Sequence, residues 1–369
     1  QCFFFVLFSL AVASSEKGYE ELNQQATEFA QKGEWDKAVD YAKQSLAIKD
    51  TSLAHHLLSQ VHLVQGRAQQ AFDEIQKAFQ LEPGPTLKAQ VQFHKGVVEQ
   101  GKRNYPQALQ HFKESVQTLL DGNVADAKSL EKAAIATAAL GDIPLTVRYL
   151  KELWRIAPQF QFHNGLPFVR IVDRYDQEVE QAATKGATAV KAVQERLSNI
   201  TTVTHTLLFD IAVGDSPAER VVLGLFGHAS PRAVRNLMEM SRCTKQGYCY
   251  KGSNFHRVVK DFIVQGGDVL PGDGTGRVNV YDRPFGDDVY GLGLMHDLAG
   301  VVQMANAGPD SNGGQFVVMV NAAAHLNGNH VVVGRVLEGL ETVLRANRVE
   351  VNDKSVPITP VTITACGVL

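Results

Sequence analysis

The hydrophobic pattern changes character about halfway along the chain. From about Tyr19 to Pro158, apolar residues recur at helical spacing, with few clusters of β-branched residues. After about Val203, short alternating apolar runs such as "TLLFDIAV", "GQFVVMV" and "VTITACGV" are separated by turns rich in Gly, Asp, Asn and Pro. This second pattern is typical of a closed antiparallel β-barrel. The sequence therefore predicts an all-α region at residues 18–160, then a barrel at residues 205–369 with two helices, "SPRAVRNLMEMSR" and "LEGLETVLRANRV".

The helical region repeats itself. The segment "KGEWDKAVDYAKQSLAI" (32–48) matches "QGRAQQAFDEIQKAFQL" (65–81) at a constant offset of 33 residues, and looser copies follow at 102–119 and 140–158. The match pairs small residues at three positions: Gly33 with Gly66, Ala38 with Ala71, and Ser45 with Ala78. The pattern resembles the tetratricopeptide repeat, a helix pair of about 34 residues. That resemblance implies a concave face that binds a protein partner. A non-repeating helical bundle is the alternative.

Residues 161–204 connect the two regions. Their spacing of Ala, Val, Leu and charged residues predicts one helix that ends near Leu197, followed by an extended linker. The linker contains Asn199-Ile200-Thr201, a sequon for N-glycosylation that an exposed linker of a secreted protein would present.

The bulk composition narrows the class of protein. The chain has 369 residues, of which 44% are hydrophobic and 20% charged, and this indicates a folded protein of two or more domains. The formal net charge of -3 gives no electrostatic reason for binding nucleic acid or an anionic membrane, so we expect no nucleic-acid partner.

The first residues predict a leader. The run "QCFFFVLFSLAVASS" is too short to span a bilayer and ends in Ala11-Val12-Ala13, which is typical of a signal-peptidase site. We therefore expect a signal peptide at residues 1–13 and a mature chain without a membrane span. Because the chain begins with Gln rather than Met, the charged part of the leader is expected upstream, and a longer signal anchor is the alternative. This predicts the secretory pathway (ER lumen or secreted), or else an organelle lumen such as the thylakoid.

Three cysteines lie beyond the leader: Cys243, Cys249 and Cys366. The first two flank "TKQGY" and either close a small disulfide ring or remain unpaired thiols. No CxxC or Cys/His spacing predicts zinc, so we expect no metal and no cofactor. The neighbouring His55 and His56 are interpreted as solvated.

Four motifs in the barrel region carry the functional prediction. They are, in order, "FHRVVKDFIVQGGD" (255–268), "GDGTG" (272–276), "MANAGPDSNGGQF" (304–316) and "HLNGNHVVVGRVLEG" (325–339). Together they resemble the cyclophilins, a family of peptidyl-prolyl cis-trans isomerases. The resemblance implies a barrel fold and rotation about X-Pro bonds of protein clients. We expect "GDGTG" to be a structural turn beside the site, because no Lys-Ser/Thr follows it as in a phosphate loop.

Prolyl isomerisation explains why such a site needs these residue types. The barrier of about 20 kcal/mol exists because the amide loses resonance as it twists. No bond breaks, so a nucleophile, metal or general base is not needed. An apolar pocket can hold the proline ring, while a fixed donor binds the prolyl nitrogen, whose lone pair appears only in the twisted state. A guanidinium suits this role because it stays protonated. By strand alternation, Arg257 and Gln265 are predicted to lie side by side on one face.

Position by position, the resemblance implies roles for individual residues. Arg257 resembles the catalytic Arg, and Gln265 resembles the residue that holds the substrate backbone and orients that Arg; Phe262 and Asn306 belong to the same catalytic group. The remaining residues match substrate-binding positions. The proline pocket is expected to consist of Phe262, Ile263, Val317 and Leu326. The groove for the residues that precede the proline is expected to consist of Ala305, Asn306 and Gln315, with His330 at the rim.

Three positions depart from the family pattern. Val317 stands where the best-studied members carry Phe, Ile263 stands where they carry Met, and His325 replaces the Trp that packs on the immunosuppressant cyclosporin. We therefore expect a shallower pocket, weak or no cyclosporin binding, and catalysis that is slower by about ten-fold or somewhat more but not abolished.

The leading prediction is a peptidyl-prolyl cis-trans isomerase that assists folding in a secretory or lumenal compartment. Its repeat domain would recruit a partner or client. The alternative is a non-catalytic scaffold or co-chaperone that binds proline-containing peptides.

Overall fold

The computed structural model describes residues 18–102, 105–121, 127–162, 167–245 and 247–369. The leader expected at residues 1–13 lies outside these ranges. Contacts divide the chain into two compact units, one that ends at Ala136 and one that comprises Thr137–Leu369. Among the helices of the described ranges, each is either too short or too polar to cross a bilayer.

The described part of the first unit is helical, as the sequence predicts. Their bounds are α1 (Gly18–Gln31), α2 (Trp35–Ile48), α3 (Ser52–Val64), α4 (Ala68–Leu81), α5 (Pro85–Gly101), α6 (Tyr105–Asp121) and α7 (Ala127–Leu140), the last of which continues into the second unit. Helices α1 and α2, α3 and α4, and α5 and α6 pack as pairs. This arrangement is consistent with tetratricopeptide-like repeats.

The repeated small residues fall where paired helices meet. Gly33 and Gly66 have φ of +75° and +73°, a left-handed conformation that ends the first helix of a pair and that Gly adopts without strain. The aligned residues of the second helix are at most 1% exposed: Ala38, Ala71, Ser45 and Ala78. Their short side chains let the two backbones approach closely.

The expectation that His55 is solvated is wrong. His55 is 7% exposed and lies between two carboxylates. Its Nε2 is 2.7 Å from Asp50 Oδ1, and its Nδ1 contacts Glu74 Oε2 on the adjoining helix. The imidazole faces α4 rather than solvent, so this buried polar group has partners on both sides.

The second unit begins with more helix than the sequence predicts. After α8 (Ile143–Ile156) come α9 (Phe168–Ala183) and α10 (Ala187–Leu197), where we expected one helix. Gly186 separates them because its φ of +103° is incompatible with a continuous helix. The following segment is not a free linker: Ile200 is buried, and its N–H donates to the carbonyl of Gly141 at 3.0 Å. The sequon residue Asn199 is exposed.

The barrel consists of eight antiparallel strands in the order β3-β4-β6-β5-β7-β2-β1-β8. Their bounds are β1 (His205–Val213), β2 (Glu219–Leu225), β3 (Arg257–Val259), β4 (Ile263–Gly266), β5 (Val301–Met304), β6 (Phe316–Met319), β7 (Val332–Glu338) and β8 (Val361–Val368). A bridge between Asn254 and Thr362 brings β8 to the residues before β3, so the sheet curls round.

Helices complete this unit. The two predicted ones are α11 (Pro231–Arg242) and α13 (Leu340–Ala346); between them lie a short helix, α12 (Val289–Leu292), and a 3-10 turn at Ala324–Leu326. The predicted fold class, helical repeats followed by an antiparallel barrel with helices, is confirmed.

Alternation separates the core from the outer face of the sheet. Val258 of β3, Val264 of β4, and Phe316 and Val318 of β6 belong to the core, where Phe316 stacks on Phe209 at 5.4 Å between ring centroids. Residues of opposite parity on these strands therefore point away from the core. Those outward positions carry the candidate functional side chains.

The cysteines of the second unit are close together. Cys243 and Cys249 form a disulfide, which decides between the two alternatives. Cys366 on β8 is a free thiol, and its Sγ lies 3.6 Å from that of Cys243.

Candidate active site

A row of outward side chains crosses four strands. Arg257 on β3 lies directly opposite Gln265 on β4, which lies opposite Val317 on β6. Val317 in turn lies opposite Gln303 on β5. Directly opposed residues share one face of a sheet. The register therefore places Arg257 and Gln265 side by side, the arrangement that alternation predicts.

The turn between β3 and β4 is fixed by a residue distant in sequence. Asn347, at the end of α13, is 3% exposed. Its Nδ2 donates to the carbonyls of Val259 (2.8 Å) and Ile263 (3.0 Å), and its Oδ1 accepts from the N–H of Asp261 (2.8 Å). Asp261 takes a φ of +57°, so these bonds hold the hairpin in an unusual conformation. Asn347 was not predicted from the sequence, where its only signal is a polar residue at the end of an amphipathic helix.

A chain of amide hydrogen bonds orients the guanidinium. Nη1 of Arg257 donates to Oε1 of Gln265 at 3.4 Å, and Nε2 of Gln265 donates to Oε1 of Gln315 at 2.9 Å. Nε2 of Gln315 donates to the carbonyls of Gly274 (3.0 Å) and Gly276 (2.8 Å). Each amide is therefore fixed in one orientation, and the oxygen of Gln265 faces Arg257. Arg257 is exposed, whereas Gln315 is buried.

The "GDGTG" segment supports this chain of amides. The carboxylate of Asp268 accepts from the N–H groups of Leu270 (3.2 Å), Gly274 (2.7 Å) and Gly276 (3.0 Å). A Cβ at Gly276 would lie 2.0 Å from Oδ1 of Asp268, so only Gly fits. These N–H groups are already bonded and are not free to hold a phosphate. The segment is the structural turn that we expected.

Apolar residues flank the polar row. Ile263 and Val317 are 4% and 3% exposed, while Phe262 and Leu326 are half-buried. The exposed ring of His325 lies on that of Phe262, with 5.4 Å between centroids and 33° between planes. His325 and Leu326 come from the 3-10 turn, and the carbonyl of Phe262 accepts from the N–H of Val320, which ties the hairpin to β6.

The groove residues lie at the end of β5. The N–H of Ala305 donates to the carbonyl of Gln315 at 3.0 Å. The Nδ2 of Asn306 donates to the carbonyl of Asn329 at 2.8 Å, joining two loops. Nδ1 of His330 lies 3.2 Å from the carbonyl of Met304. Burial lowers the pKa of His330, so the neutral ring donates through Nδ1. The structure thus places every predicted site residue on this face or in the adjoining loops.

Gln303 is a neighbour that sequence analysis missed. It is 2% exposed, and its side-chain amide lies beside the imidazole of the buried His296. It lies opposite Val317, the position where the pocket lacks an aromatic ring. A buried amide at this point is unusual, and the one Gln in the apolar strand "GVVQMANA" was a signal for it.

Comparison with known proteins agrees with this geometry. The family described as cyclophilin type peptidyl-prolyl cis-trans isomerase/CLD matches residues 208–368. The chain is 42% identical over 166 residues to a rhodopsin-specific peptidyl-prolyl cis-trans isomerase of Calliphora vicina, covering 45% of this chain and 70% of the relative. It is 42% identical over 171 residues to isomerase H of Rhizopus delemar (44% and 92% covered) and 38% identical over 168 residues to isomerase B of Saccharomyces cerevisiae (45% and 80%).

The chain belongs to the cyclophilin-type peptidyl-prolyl cis-trans isomerase family. The family and the enzyme class predicted from the sequence are confirmed, and the matched residues are those of the barrel.

Proposed function

We propose that the barrel isomerises X-Pro bonds of polypeptide clients at the face that carries Arg257 and Gln265. The observation that carries this assignment is the chain of hydrogen bonds from Arg257 through Gln265 to Gln315, which lies beside an apolar patch. These hydrogen bonds hold the guanidinium of Arg257, which is a permanent donor. A proline that packs on Ile263 and Val317 would present its nitrogen to that guanidinium.

The proposed mechanism needs no proton transfer. The proline ring packs on Phe262, Ile263, Val317 and Leu326, which holds it while the rest of the substrate rotates. As the amide twists, its nitrogen becomes pyramidal and gains a lone pair, and an N–H of Arg257 donates to it. This bond exists only in the twisted state, so it lowers the barrier instead of merely tightening substrate binding.

The residues around Arg257 have supporting roles in this mechanism. Gln265 accepts one guanidinium N–H and thereby aims the others. Ala305, Asn306 and Gln315 line the groove for residues that precede the proline. His330 is neutral and bound to a carbonyl, which suits a place at the rim and not a role as a base.

A protease-coupled cis–trans assay on an Ala-Pro-Phe peptide tests the proposal with the full chain. We expect acceleration above the uncatalysed rate and a loss of kcat/KM of about 100- to 1000-fold in Arg257→Ala, as for removal of a transition-state donor. Arg335→Ala is the matched control, because Arg335 is an exposed strand arginine on β7 outside the row. A wild-type rate equal to background, with the same trace in Arg257→Ala, would favour the non-catalytic scaffold. An accelerated rate that is unchanged in Arg257→Ala would instead show that Arg257 is not the catalytic donor.

We further propose a secretory or lumenal location. Three features support it: the leader-like run at residues 1–13, the disulfide between Cys243 and Cys249, and the exposed sequon at Asn199. Disulfides persist mainly in oxidising compartments. Sequencing the N-terminus of the mature protein, together with its location in a fractionated cell, tests this. A cytosolic protein that retains residues 1–13 would overturn it.

The helical repeats are proposed to recruit a protein partner or client. Paired helices with buried small residues support a solenoid with a concave face. Refolding of a proline-limited client protein by the full chain and by residues 206–369 separates the roles. We expect the full chain to be faster on the protein client and both to be equal on a tetrapeptide. A faster tetrapeptide rate for residues 206–369 would instead mean that the repeats restrict the barrel.

A further inference from the structure

The second unit contains a cleft whose lining shares no residue with the candidate isomerase site. It lies between the α9–α10 hairpin and the barrel segments at 228–232 and 288–290, and its volume is about 720 Å³. Small-molecule sites in proteins typically have about 300–1,000 Å³. The hairpin lies outside residues 208–368, so one wall of the cleft is not part of the region that matches the family.

Positive charge exceeds negative charge in the lining. The cleft is lined by four cationic side chains, Arg174, Lys185, Arg196 and Arg232, and by two carboxylates, Glu178 and Asp288. Four positive and two negative groups leave a formal charge of +2. Such an excess attracts an anion, the more so in a concave site with low-dielectric walls.

The two carboxylates accept hydrogen bonds from neighbouring groups, which reduces their repulsion of an incoming anion. Glu178 accepts from Nε of Arg174 at 2.7 Å and from Nη2 of Arg196. Asp288 accepts from the backbone N–H of Arg232 (3.0 Å), from its Nε (3.1 Å) and from the N–H of Ala233 (2.9 Å). Nη2 of Arg232 also donates to the carbonyl of Asp287 at 2.6 Å. Each guanidinium keeps further N–H groups beyond these bonds.

Two buried polar groups in the lining lack partners. Tyr290 is 5% exposed, and its hydroxyl has no hydrogen-bond partner among the described residues. The same holds for Nδ1 of His228. Burial raises the pKa of Tyr290, which keeps the phenol protonated. Burial, reinforced by Arg196, lowers the pKa of His228, so the ring is neutral and offers one N–H. Both atoms are themselves inaccessible to solvent, so a ligand oxygen reaches them only when the side chains that cover them shift. Because leaving such groups unbonded is costly, that contact would be favourable.

We propose that this cleft binds a small ligand through an oxyanion group, a phosphate, sulfate or carboxylate. The oxyanion accepts hydrogen bonds from the hydroxyl of Tyr290 and from the guanidinium groups of Arg196 and Arg232, which bind planar and tetrahedral oxyanions in a bidentate manner. The cleft is larger than one such anion, so the remainder of the ligand is an organic group of moderate size that lies along α9 and α10.

Isothermal titration calorimetry on the full chain tests the proposal. The probes are inorganic phosphate, sulfate and acetate, each measured against potassium chloride at equal ionic strength. We expect saturable binding of at least one oxyanion, and the preferred probe identifies the head group. Tyr290→Phe keeps the ring and removes only the hydroxyl, and we expect about ten-fold weaker binding, as for loss of one hydrogen bond to a charged group.

Two further variants make the result decisive. Lys185→Gln removes an exposed lining charge with little risk to the fold and should weaken binding, whereas Arg335→Gln makes the same charge change outside the cleft and should not. No saturable binding, or equal affinity in Tyr290→Phe, Lys185→Gln and wild type, would overturn the site. The isomerase rate of Tyr290→Phe should equal that of wild type, so this test is independent of the proposed catalytic function.

Discussion

The two sides of the candidate active site differ in how they are built. On the polar side, Arg257, Gln265 and Gln315 are joined atom to atom by hydrogen bonds that end on backbone carbonyls. On the apolar side, Val317 and His325 depart from the family pattern, yet the strand that carries Val317 keeps its register with its neighbours. The polar side chains are held in position by hydrogen bonds, whereas the apolar side chains contribute through the surface that they offer to the substrate.

This difference follows from what each side contributes. A donor to a transient lone pair must be placed to within a fraction of an ångström, because hydrogen-bond strength falls steeply with angle and distance. An apolar pocket contributes roughly in proportion to the area that it buries, so losing part of a ring costs a limited amount. We therefore expect changes on the polar side to reduce activity more than changes of similar size on the apolar side.

Gln315→Leu gives the largest effect among the variants that test this comparison. It keeps the size of the side chain but frees Gln265 and leaves the carbonyls of Gly274 and Gly276 without their donor. We expect kcat/KM to fall by about ten- to a hundred-fold, as for an unsatisfied buried group beside a mispositioned amide. The matched change on the apolar side, Val317→Ala, should cost only a few-fold. Equal losses in the protease-coupled assay would contradict the comparison.

The polar side could be predicted from the sequence because its two principal residues lie eight positions apart on one hairpin, where alternation places Arg257 beside Gln265. The residues that support that hairpin could not be predicted in the same way. Asn347 reaches the turn from a helix more than eighty residues away, and the carbonyls that hold Gln315 come from a turn organised by Asp268. Such contacts depend on tertiary packing, and a local pattern, such as the polar residue Asn347 at the end of its helix, does not reveal what that residue contacts.

The same limit applies to the fold. The barrel and the helical region are evident from periodicity, because alternation and helical spacing are local properties. The α9–α10 hairpin was predicted as a single helix, since a glycine within a helical pattern does not reveal its φ. His55 was misread for a related reason: its burial depends on where Glu74 of the next helix lies.

His325→Trp tests the apolar side with a ligand instead of a substrate. We expect the wild-type chain to bind cyclosporin weakly, because an imidazole on Phe262 offers less surface than an indole and lacks its N–H at the same place. The variant should tighten the dissociation constant about ten-fold. Isothermal titration calorimetry measures all of these chains in the same way, because the wild-type barrel contains no Trp that could report binding by fluorescence.

His325→Phe is the control for ring size alone. If cyclosporin affinity in His325→Phe lies between that of wild type and that of His325→Trp, part of the gain comes from the apolar area of the ring and the remainder from the indole N–H. Tight binding of cyclosporin by the wild-type chain would show that this side of the pocket is not impaired.

Val317→Phe should have a smaller effect, a rise in kcat/KM of about five-fold from added ring contact with proline. The gain depends on Gln303, which is buried opposite this position and would crowd a larger side chain. We therefore expect the double variant Val317→Phe/Gln303→Ala to exceed the single one. If both variants are slower than wild type, the pocket has no room for a larger side chain. The absence of the Phe that other family members carry at this position is then not what limits the rate.

The smallest effect at neutral pH is expected from His296, which supports the loop that carries His325. The N–H of Ala323 donates to the carbonyl of His296 at 2.7 Å, and Nδ1 of His296 lies 3.0 Å from Oδ1 of Asn327. Burial lowers the pKa of His296 from 6.5 to about 4. At pH 7 the ring is neutral in both folded and unfolded chains, so titration of this group does not affect stability there.

Below pH 6.5 the protonation of His296 lowers the free energy of unfolding. The unfolded chain takes up a proton at His296 near pH 6.5, whereas the folded chain does so only near pH 4. The unfolded state therefore binds more protons between these values, and stability that is complete above pH 6.5 is lost progressively as the pH falls toward 4. The loss is on the order of 3 kcal/mol.

Histidine NMR titration should give a midpoint near 4 for His296, and hydrogen exchange of β5 should accelerate over this interval less in His296→Gln than in wild type. A midpoint near 6.5 would mean that the loop behind the apolar side is open to water.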